Sequence, residues 1–210
     1  MLRLSNALPL VLLGLLFSRD SEPSSPAPAA PSPGAAPAGP PGLEVARVLT
    51  GGQPLEQWFS DRFRVAVEVL ALNLPADVVH DAALSVVAQW AHETGRGRSE
   101  FNFNMGGWRA RKSDPYFVAR DVQTGRELFR WTAYGDLPNA VHDQLRRLHD
   151  TFPTAWALLA KEPNTSRWVE ELGRRGYYVH PPGTTQAQHI LNYTRAWASN
   201  RAELQRLAVS

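Results

Sequence analysis

Glu93 is the residue of this chain whose surroundings best fit catalysis. It closes the largely apolar segment Ala88-Gln-Trp-Ala-His-Glu93, and Thr94-Gly-Arg-Gly-Arg-Ser99 follows it. The pattern predicts a carboxyl group in the last turn of a buried helix, where the helix dipole and burial beside Trp90 both raise its pKa. A carboxyl group that keeps its proton near neutral pH can protonate the leaving oxygen of a glycoside. The alternative is a solvated glutamate with no catalytic role.

Four short segments follow one another in a fixed order. They are Glu93-Thr94-Gly95-Arg96-Gly97-Arg98-Ser99, Asn104-Met105-Gly106-Gly107-Trp108-Arg109-Ala110, Tyr134 with Asn139-Ala140-Val141-His142-Asp143, and Gly176-Tyr177-Tyr178-Val179-His180-Pro181. In this order they resemble the bacterial glucosaminidase family of autolysins and flagellar rod-cap hydrolases (glycoside hydrolase family seventy-three). Thr94 replaces the family's Ser, Gly106 replaces its Phe, and His180 stands at the position of an Asp.

The resemblance implies a fold and a reaction. The fold is mainly α (α+β), a lysozyme-like helical domain with a small β-hairpin lobe beside the cleft. The reaction is hydrolysis of peptidoglycan glycan strands between N-acetylglucosamine and N-acetylmuramic acid, with Glu93 as general acid and no metal or other cofactor. A second carboxylate on the hairpin corresponds best to Asp121, with Asp114 as the alternative. The substrate's 2-acetamido group can serve as nucleophile, which leaves the second carboxylate a supporting task.

Several aromatic and polar residues are candidates for contact with the glycan. Tyr177 corresponds to the family's cleft tyrosine and joins Glu93 and Asp121 as a catalytic candidate, although a core tyrosine before a turn is the alternative. A tryptophan can stack on a sugar ring or fill the core. The candidates for substrate binding are Asn104, Trp108, Trp131, Tyr134 and Tyr178.

The composition excludes some kinds of chemistry. The chain has no Cys, so disulfides, thiolate catalysis and Cys-ligated metal sites are excluded. His92, His142 and His180 do not have the spacing of metal ligands, and we expect them at the surface or as capping residues. The net charge is +2, without a long block of Lys and Arg, which argues against nucleic acid as a partner.

Residues 1–42 do not look like a folded domain. The apolar run over residues 7–17 is too short to span a bilayer. We therefore expect segment 1–18 to be a signal peptide or anchor, or a peg that inserts into a larger cell-envelope or phage-tail-like assembly. Segment 19–42 is a linker, and the eight prolines of residues 22–42 favour polyproline II. Domain 43–210 is then secreted, periplasmic or envelope-associated, or part of a phage-like particle.

The helical pattern predicts how Glu93 is positioned. Apolar residues at helical spacing predict helices over residues 55–74 and 78–91. The second helix is apolar on nearly every side, which predicts a central position. Gly95 and Gly97 are expected to end it.

Further elements follow downstream. Alternating residues predict a β-hairpin over residues 116–132. Asp136 as N-cap and Pro138 in the first turn predict a helix that runs to Phe152. Shorter helices are expected over residues 154–160 and 166–172. The last predicted helix covers residues 185–207 and packs through Ile190, Leu191, Thr194 and Trp197.

Two other functions fit the same sequence. A muramidase or lytic transglycosylase would cut the other glycosidic bond and leave muramic or anhydromuramic ends instead of glucosamine ends. A non-catalytic wall-binding or structural subunit would keep the hydrolase fold without its activity.

Residues 1–42 are predicted to be dispensable for folding and activity, because they lack the periodicity that builds a core. A chain that begins at Leu43 should unfold cooperatively in a thermal melt and should still digest peptidoglycan. Loss of the folded state would show that the N-terminal segment packs into the domain, contrary to this prediction.

Overall fold

The computed structural model of this protein describes residues 42–120, 124–178 and 183–209. These ranges contain six helices and one two-stranded antiparallel sheet, which confirms a mainly helical fold with a hairpin lobe. Residues 1–41, with the predicted apolar segment and nearly all of the linker, lie outside the described residues, as do Asp121 and His180. The elements are α1 (Leu55–Leu70), α2 (Ala76–Glu93), β1 (Tyr116–Arg120), β2 (Glu127–Thr132), α3 (Leu137–Thr151), α4 (Pro153–Lys161), α5 (Arg167–Arg174) and α6 (Gln186–Val209).

Helix α2 lies at the centre of the fold, as its apolar sequence predicts. Every residue from 82 to 91 is buried, and α2 packs against α1, α4 and α6. A helix that is apolar all round is stable only when neighbours cover all of its faces. Each large apolar side chain buried in this way contributes about 1.5–3 kcal/mol. The core therefore fixes the position of Glu93, the last residue of α2.

The chain turns sharply after α2, at the glycines that the sequence analysis selected. Gly95 and Gly97 have positive φ angles of 57° and 81°. Gly97 also has no room for a side chain, because an added Cβ would lie 2.3 Å from the ring of Trp58. Thr94 holds the turn, since its Oγ1 accepts a hydrogen bond from the Gly97 N–H at 2.9 Å and donates to the Trp90 carbonyl at 2.8 Å.

The β lobe has contacts along both of its edges. In the hairpin, Tyr116 pairs with Thr132 and Phe117 pairs with Trp131. Residues 43–45 lie beside the start of β1, where the Val45 N–H donates to the Tyr116 carbonyl at 2.8 Å. On the other strand, Arg109 forms an isolated bridge with Trp131. The loop after α2 is thereby joined to the hairpin.

Helix α3 begins and ends as predicted. Asp136 Oδ1 accepts a hydrogen bond from the Asn139 N–H at 2.8 Å, and Pro138 occupies the first turn. Phe152 follows the helix, and Pro153 starts α4. No helix in the described ranges is both long and apolar enough to cross a membrane.

The packed side of α6 differs from the prediction. Trp197 is buried as expected, but Leu191 is 43% exposed. The fully packed positions are Tyr193, Trp197, Asn200 and Leu204. The prediction placed Ile190, Leu191 and Thr194 on the packed side and missed that two polar side chains, Tyr193 and Asn200, face the core. Helix α1 likewise ends at Leu70 instead of Leu74, because residues 71–74 form a turn before the next helix.

A buried ion pair that the sequence analysis did not predict joins α1 to the loop after α2. Arg62 contacts the two carboxylate oxygens of Glu100 through Nη2 at 2.5 Å and Nε at 2.9 Å. Only 1% of the Arg62 side chain and 0% of the Glu100 side chain are exposed. Trp58 Nε1 and Thr50 Oγ1 also donate to this carboxylate, at 2.8 Å and 3.1 Å. The buried charge of Glu100 is thus fully compensated by hydrogen bonds.

Replacing Glu100 with Gln should lower the free energy of unfolding by about 3–5 kcal/mol, because the charge of Arg62 then stays buried without a counter-ion. The double variant Arg62→Met/Glu100→Gln should lose less than the sum of the two single variants, since no lone charge remains. Urea denaturation measures the free energy of unfolding of Arg62→Met, of Glu100→Gln and of the double variant.

The exposed pair Arg64 and Glu68 on α1 gives the matched control. Arg64→Met and Glu68→Gln should each change the unfolding free energy by less than about 1 kcal/mol. A Glu100→Gln protein as stable as these controls would contradict the assigned role of the buried pair.

Candidate active site

Glu93 lies in the last turn of α2 with its side chain partly buried against α6. Tyr193 Oη donates a hydrogen bond to Glu93 Oε1 at 2.5 Å, and Gln89 Nε2 lies 3.4 Å from the same oxygen. No donor contacts Glu93 Oε2 within the described part of the chain. One carboxyl oxygen is therefore fixed between two helices, while the other remains available to carry a proton.

Burial raises the pKa of Glu93 from 4.5 to about 7. The hydrogen bonds from Tyr193 and Gln89 oppose this rise, because they favour the ionised carboxylate. Burial also raises the pKa of Tyr193 well above its ordinary range, so this hydroxyl keeps its proton at neutral pH. The direction of the Glu93 shift agrees with the sequence analysis, and burial is its main cause.

His92 packs beside this group. Its ring meets the Tyr193 ring edge to face, with 4.3 Å between the ring centres. Burial, together with the nearby His189, lowers the pKa of His92 to about 4. His92 is partly exposed in the last turn of α2, and His142 is exposed, so both lie where a surface or capping residue is expected. Across the described ranges, no group of three His, Asp or Glu side chains is placed to hold a metal ion.

Gln89 connects Glu93 to Tyr177. Its Nε2 donates to Tyr177 Oη at 3.0 Å and to Tyr193 Oη at 3.1 Å. An amide nitrogen has two hydrogens, so the longer contact with Glu93 is the weakest of the three. Tyr177 donates in turn to the carbonyl oxygen of Gly106 at 2.7 Å. This network joins α2, α6, the segment after α5 and the loop after α2.

A cavity of about 300 Å³ has Tyr177 in its wall. Trp108 and Trp131, two of the predicted glycan-binding residues, also line it. The rings of Trp108 and Tyr177 meet edge to face with centres 5.6 Å apart. Glu93 is not part of this wall and is joined to it through Gln89 and Tyr177. The structure thus brings Glu93, Tyr177 and Trp108 into one connected region.

The other predicted glycan-binding residues make contacts within the protein. The buried Asn104 amide donates to the carbonyl oxygens of Trp108 and Thr132 and accepts from the Trp108 N–H, which fixes the loop. Tyr134 donates to Asp143 at 2.9 Å, and the Tyr178 ring stacks on Tyr193 with centres 4.0 Å apart. None of the three is among the described residues that line the cavity. Their contact with a glycan stays a prediction.

Asp114 is the candidate second carboxylate that the structure describes, since Asp121 lies outside the described residues. Asp114 Oδ2 accepts hydrogen bonds from Arg147 Nη2 at 2.5 Å and from the Arg111 N–H at 2.8 Å. Partial burial raises the pKa of Asp114, but these hydrogen bonds outweigh it and hold the pKa below its ordinary value. Arg147 also contacts Asp143, at 2.6 Å. Asp114 is therefore ionised at neutral pH and belongs to an ion-pair network.

Two members of the Glu93 network, Gln89 and Tyr193, were not predicted from the sequence. Gln89 stands four residues before Glu93, and this spacing places both side chains on one helical face. That pattern was therefore present in the sequence. Tyr193 contacts Glu93 across 100 positions of the chain. No local pattern indicates a contact of that kind.

Glu93 should make stability depend on pH. Its pKa is about 7 in the folded protein and near the ordinary 4.5 when unfolded, so folding retains a proton that the unfolded chain releases. Its contribution to stability is fully present below pH 4.5 and is lost as pH rises through about 7. Relative to Glu93→Gln, the natural protein should lose about 1–3 kcal/mol of unfolding free energy across this interval. Urea denaturation at several pH values measures the difference.

Glu68→Gln is the control for this comparison, because Glu68 is exposed on α1. Its difference from the natural protein should stay nearly constant over the same pH interval. A constant difference for Glu93→Gln as well would show that Glu93 titrates as an ordinary solvated carboxyl group.

The fold is similar to that of a solved structure. The chain is similar to a peptidoglycan hydrolase mutant from Sphingomonas sp. A1, with a TM-score of 0.54 and 19% sequence identity. The match covers 73% of this chain and 98% of the other. No protein-family model matches the chain, and the comparison with curated proteins finds no match. At this identity the likeness concerns the fold, and it confirms the expected mainly helical architecture with a small β lobe.

Proposed function

We propose that this protein hydrolyses the glycan strands of peptidoglycan, with Glu93 as the general acid. The observation that carries the proposal is the partly buried carboxyl group of Glu93, with a pKa raised to about 7 and Oε1 held by Tyr193. Such a group can give a proton to a leaving sugar oxygen and take one back in the next step. The fold shared with a peptidoglycan hydrolase supports the choice of substrate.

The proton transfer starts from Oε2 of Glu93. This proton passes to the glycosidic oxygen while the bond between that oxygen and C1 of the sugar breaks. The 2-acetamido oxygen of the same sugar bonds to C1 and forms a cyclic intermediate, so no protein nucleophile is needed. Water then attacks C1, the bond from the acetamido oxygen breaks, and the Glu93 carboxylate accepts the proton of the water. The hydrogen bond from Tyr193 stabilises the carboxylate between the two steps.

The second carboxylate has an electrostatic task in this scheme. We propose Asp121 for it, on the basis of its position on the hairpin in the family resemblance. Asp114 is the other candidate, and it is ionised at neutral pH, but Arg147 and the Arg111 N–H already contact its Oδ2. The task suits a group that stabilises positive charge near C1 without bonding to it.

We propose that the protein cuts the bond after N-acetylglucosamine. It would then be an endo-β-N-acetylglucosaminidase. The support is the segment Glu93-Thr94-Gly95-Arg96-Gly97 and its order relative to Tyr177, both of which resemble the glucosaminidase family. Thr94 stands where the family has Ser, and its hydroxyl holds the turn after α2. The substitution therefore keeps a hydroxyl group at this position.

We also propose that residues 1–42 place the domain at the cell envelope. In a polyproline II conformation, residues 22–42 would reach on the order of 60 Å, which would let a tethered domain meet a polymer away from its attachment point. Export, or assembly into a phage-like particle, is consistent with action on peptidoglycan.

Replacing Glu93 with Gln should abolish hydrolysis while the fold persists. The amide keeps the shape and the hydrogen bond from Tyr193, but it has no proton to give. Activity on purified peptidoglycan should fall by about a thousandfold or more. Release of soluble fragments measures the rate, and mass analysis of their reducing ends identifies the bond. Glucosamine ends are expected.

Glu68→Gln is again the control and should keep full activity. A well-folded Glu93→Gln protein with a near-natural rate would contradict the assignment of the acid. Muramic or anhydromuramic ends would show that the protein is a muramidase or a lytic transglycosylase instead of a glucosaminidase. A natural protein inert on walls from several bacteria would favour a non-catalytic subunit.

A further inference from the structure

The cavity beside Tyr177 is rich in arginine. Arg109, Arg111 and Arg147 all line it, and no Asp or Glu is among the described residues of its wall. The same wall contains the rings of Trp108 and Trp131. Guanidinium groups next to aromatic rings form a surface for a ligand that combines negative charge with an apolar face.

Part of this positive charge is compensated behind the wall. Arg147 is buried and contacts two carboxylates, those of Asp114 and Asp143. Among the described residues, the three arginines of the wall outnumber the two carboxylates, Asp114 and Asp143, that lie behind it. Asp143 shares its charge further with Arg146, which also contacts it.

Two of the arginines are positioned for a ligand in different ways. The Arg109 guanidinium lies over the Phe129 ring, 4.0 Å from its centre, and 5.5 Å from the Trp131 ring. These rings hold the planar group in place beside the cavity. Arg111 is exposed, and no carboxylate of the described residues lies within ion-pair distance of its side chain, although its charge helps to lower the pKa of Asp114. Its own backbone N–H is fixed on Asp114.

The cavity is directly connected to the Glu93 network. Tyr177 and Gly106 belong to its wall, and the Tyr177 hydroxyl donates to the Gly106 carbonyl. The same hydroxyl accepts a hydrogen bond from Gln89, which contacts Glu93. A ligand group in this cavity would therefore be separated from Glu93 by two hydrogen-bonded side chains, Tyr177 and Gln89.

We infer that this arginine-lined cavity binds a carboxylate carried by the glycan, with Arg111 as its main contact. The inference rests on the proposed function, and it adds a requirement for negative charge on the substrate. Arginine suits the task because its planar donors match a carboxylate in pairs. Peptidoglycan offers carboxylates from two sources, the peptide stem and the lactyl group of a muramic acid without its peptide. Neutral chitin oligosaccharides offer neither.

Binding measurements on the full chain with Glu93→Gln separate this inference from catalysis. Isothermal titration calorimetry compares three soluble glycans of equal length: peptide-bearing strands, peptide-free strands with lactyl carboxylates, and neutral chitin oligosaccharides. The best carboxylate-bearing glycan should bind about tenfold more tightly than the neutral one. If peptide-free strands keep this advantage, the lactyl group is the source, and if only peptide-bearing strands show it, the peptide is.

Arg111→Gln in the same background tests the residue itself. It should weaken binding of the carboxylate-bearing glycan by about fivefold to twentyfold and leave the neutral glycan unchanged. Arg111→Lys should restore part of the loss, and Arg206→Gln, an exposed arginine on α6, should change nothing. Equal binding of all three glycans, unaffected by Arg111→Gln, would overturn the inference and leave the proposed function standing. Absence of binding to any glycan would instead overturn the proposed function.

Discussion

The burial of α2 is the constraint on which the candidate site depends. Residues 82–91 lie inside the core, and the helix ends at Glu93, which is partly buried. The carboxyl group is therefore desolvated, which favours its protonated form, while Tyr193 and Gln89 donate hydrogen bonds that favour the ionised form. Burial is the larger effect and leaves a pKa of about 7. Near neutral pH the protonated and the ionised forms of Glu93 are therefore both populated, as a glycosidase needs for a group that first gives a proton and then accepts one.

The loop that follows α2 connects Glu93 to the rest of the site. Gly97 packs against the Trp58 ring, and Glu100 is buried on Arg62, so the loop is fixed to α1 at two points. Farther along, Gly106 accepts the hydrogen bond of Tyr177, and the loop joins the hairpin through Arg109. A substitution in the Arg62–Glu100 pair should therefore disturb the positions of Glu93 and of the cavity wall, and should also lower the stability of the fold.

Local signals in the sequence were sufficient for much of the fold. The apolar α2, the glycines after Glu93 and the Asp136 cap each depend on a few neighbouring residues, and the structure agrees with them. The packed side of α6 and the Arg62–Glu100 pair depend on contacts between distant segments, which hydrophobic periodicity does not record. For the same reason, the contact between Tyr193 and Glu93 could not be predicted from the sequence. The catalytic roles of Glu93 and Asp121 rest on resemblance and chemistry, and they stay predictions.

A direct titration of the Glu93 carboxyl group tests the central claim, that burial keeps this group partly protonated near neutral pH. Carbon-13 NMR of the natural protein, labelled at the glutamate carboxyl carbons, follows each group with pH, and Glu93→Gln identifies the Glu93 signal by its loss. We expect the Glu93 signal to titrate with a midpoint of about 7. A midpoint near the ordinary 4.5 would mean that Glu93 has almost no proton to give at neutral pH, and would contradict its role as the acid.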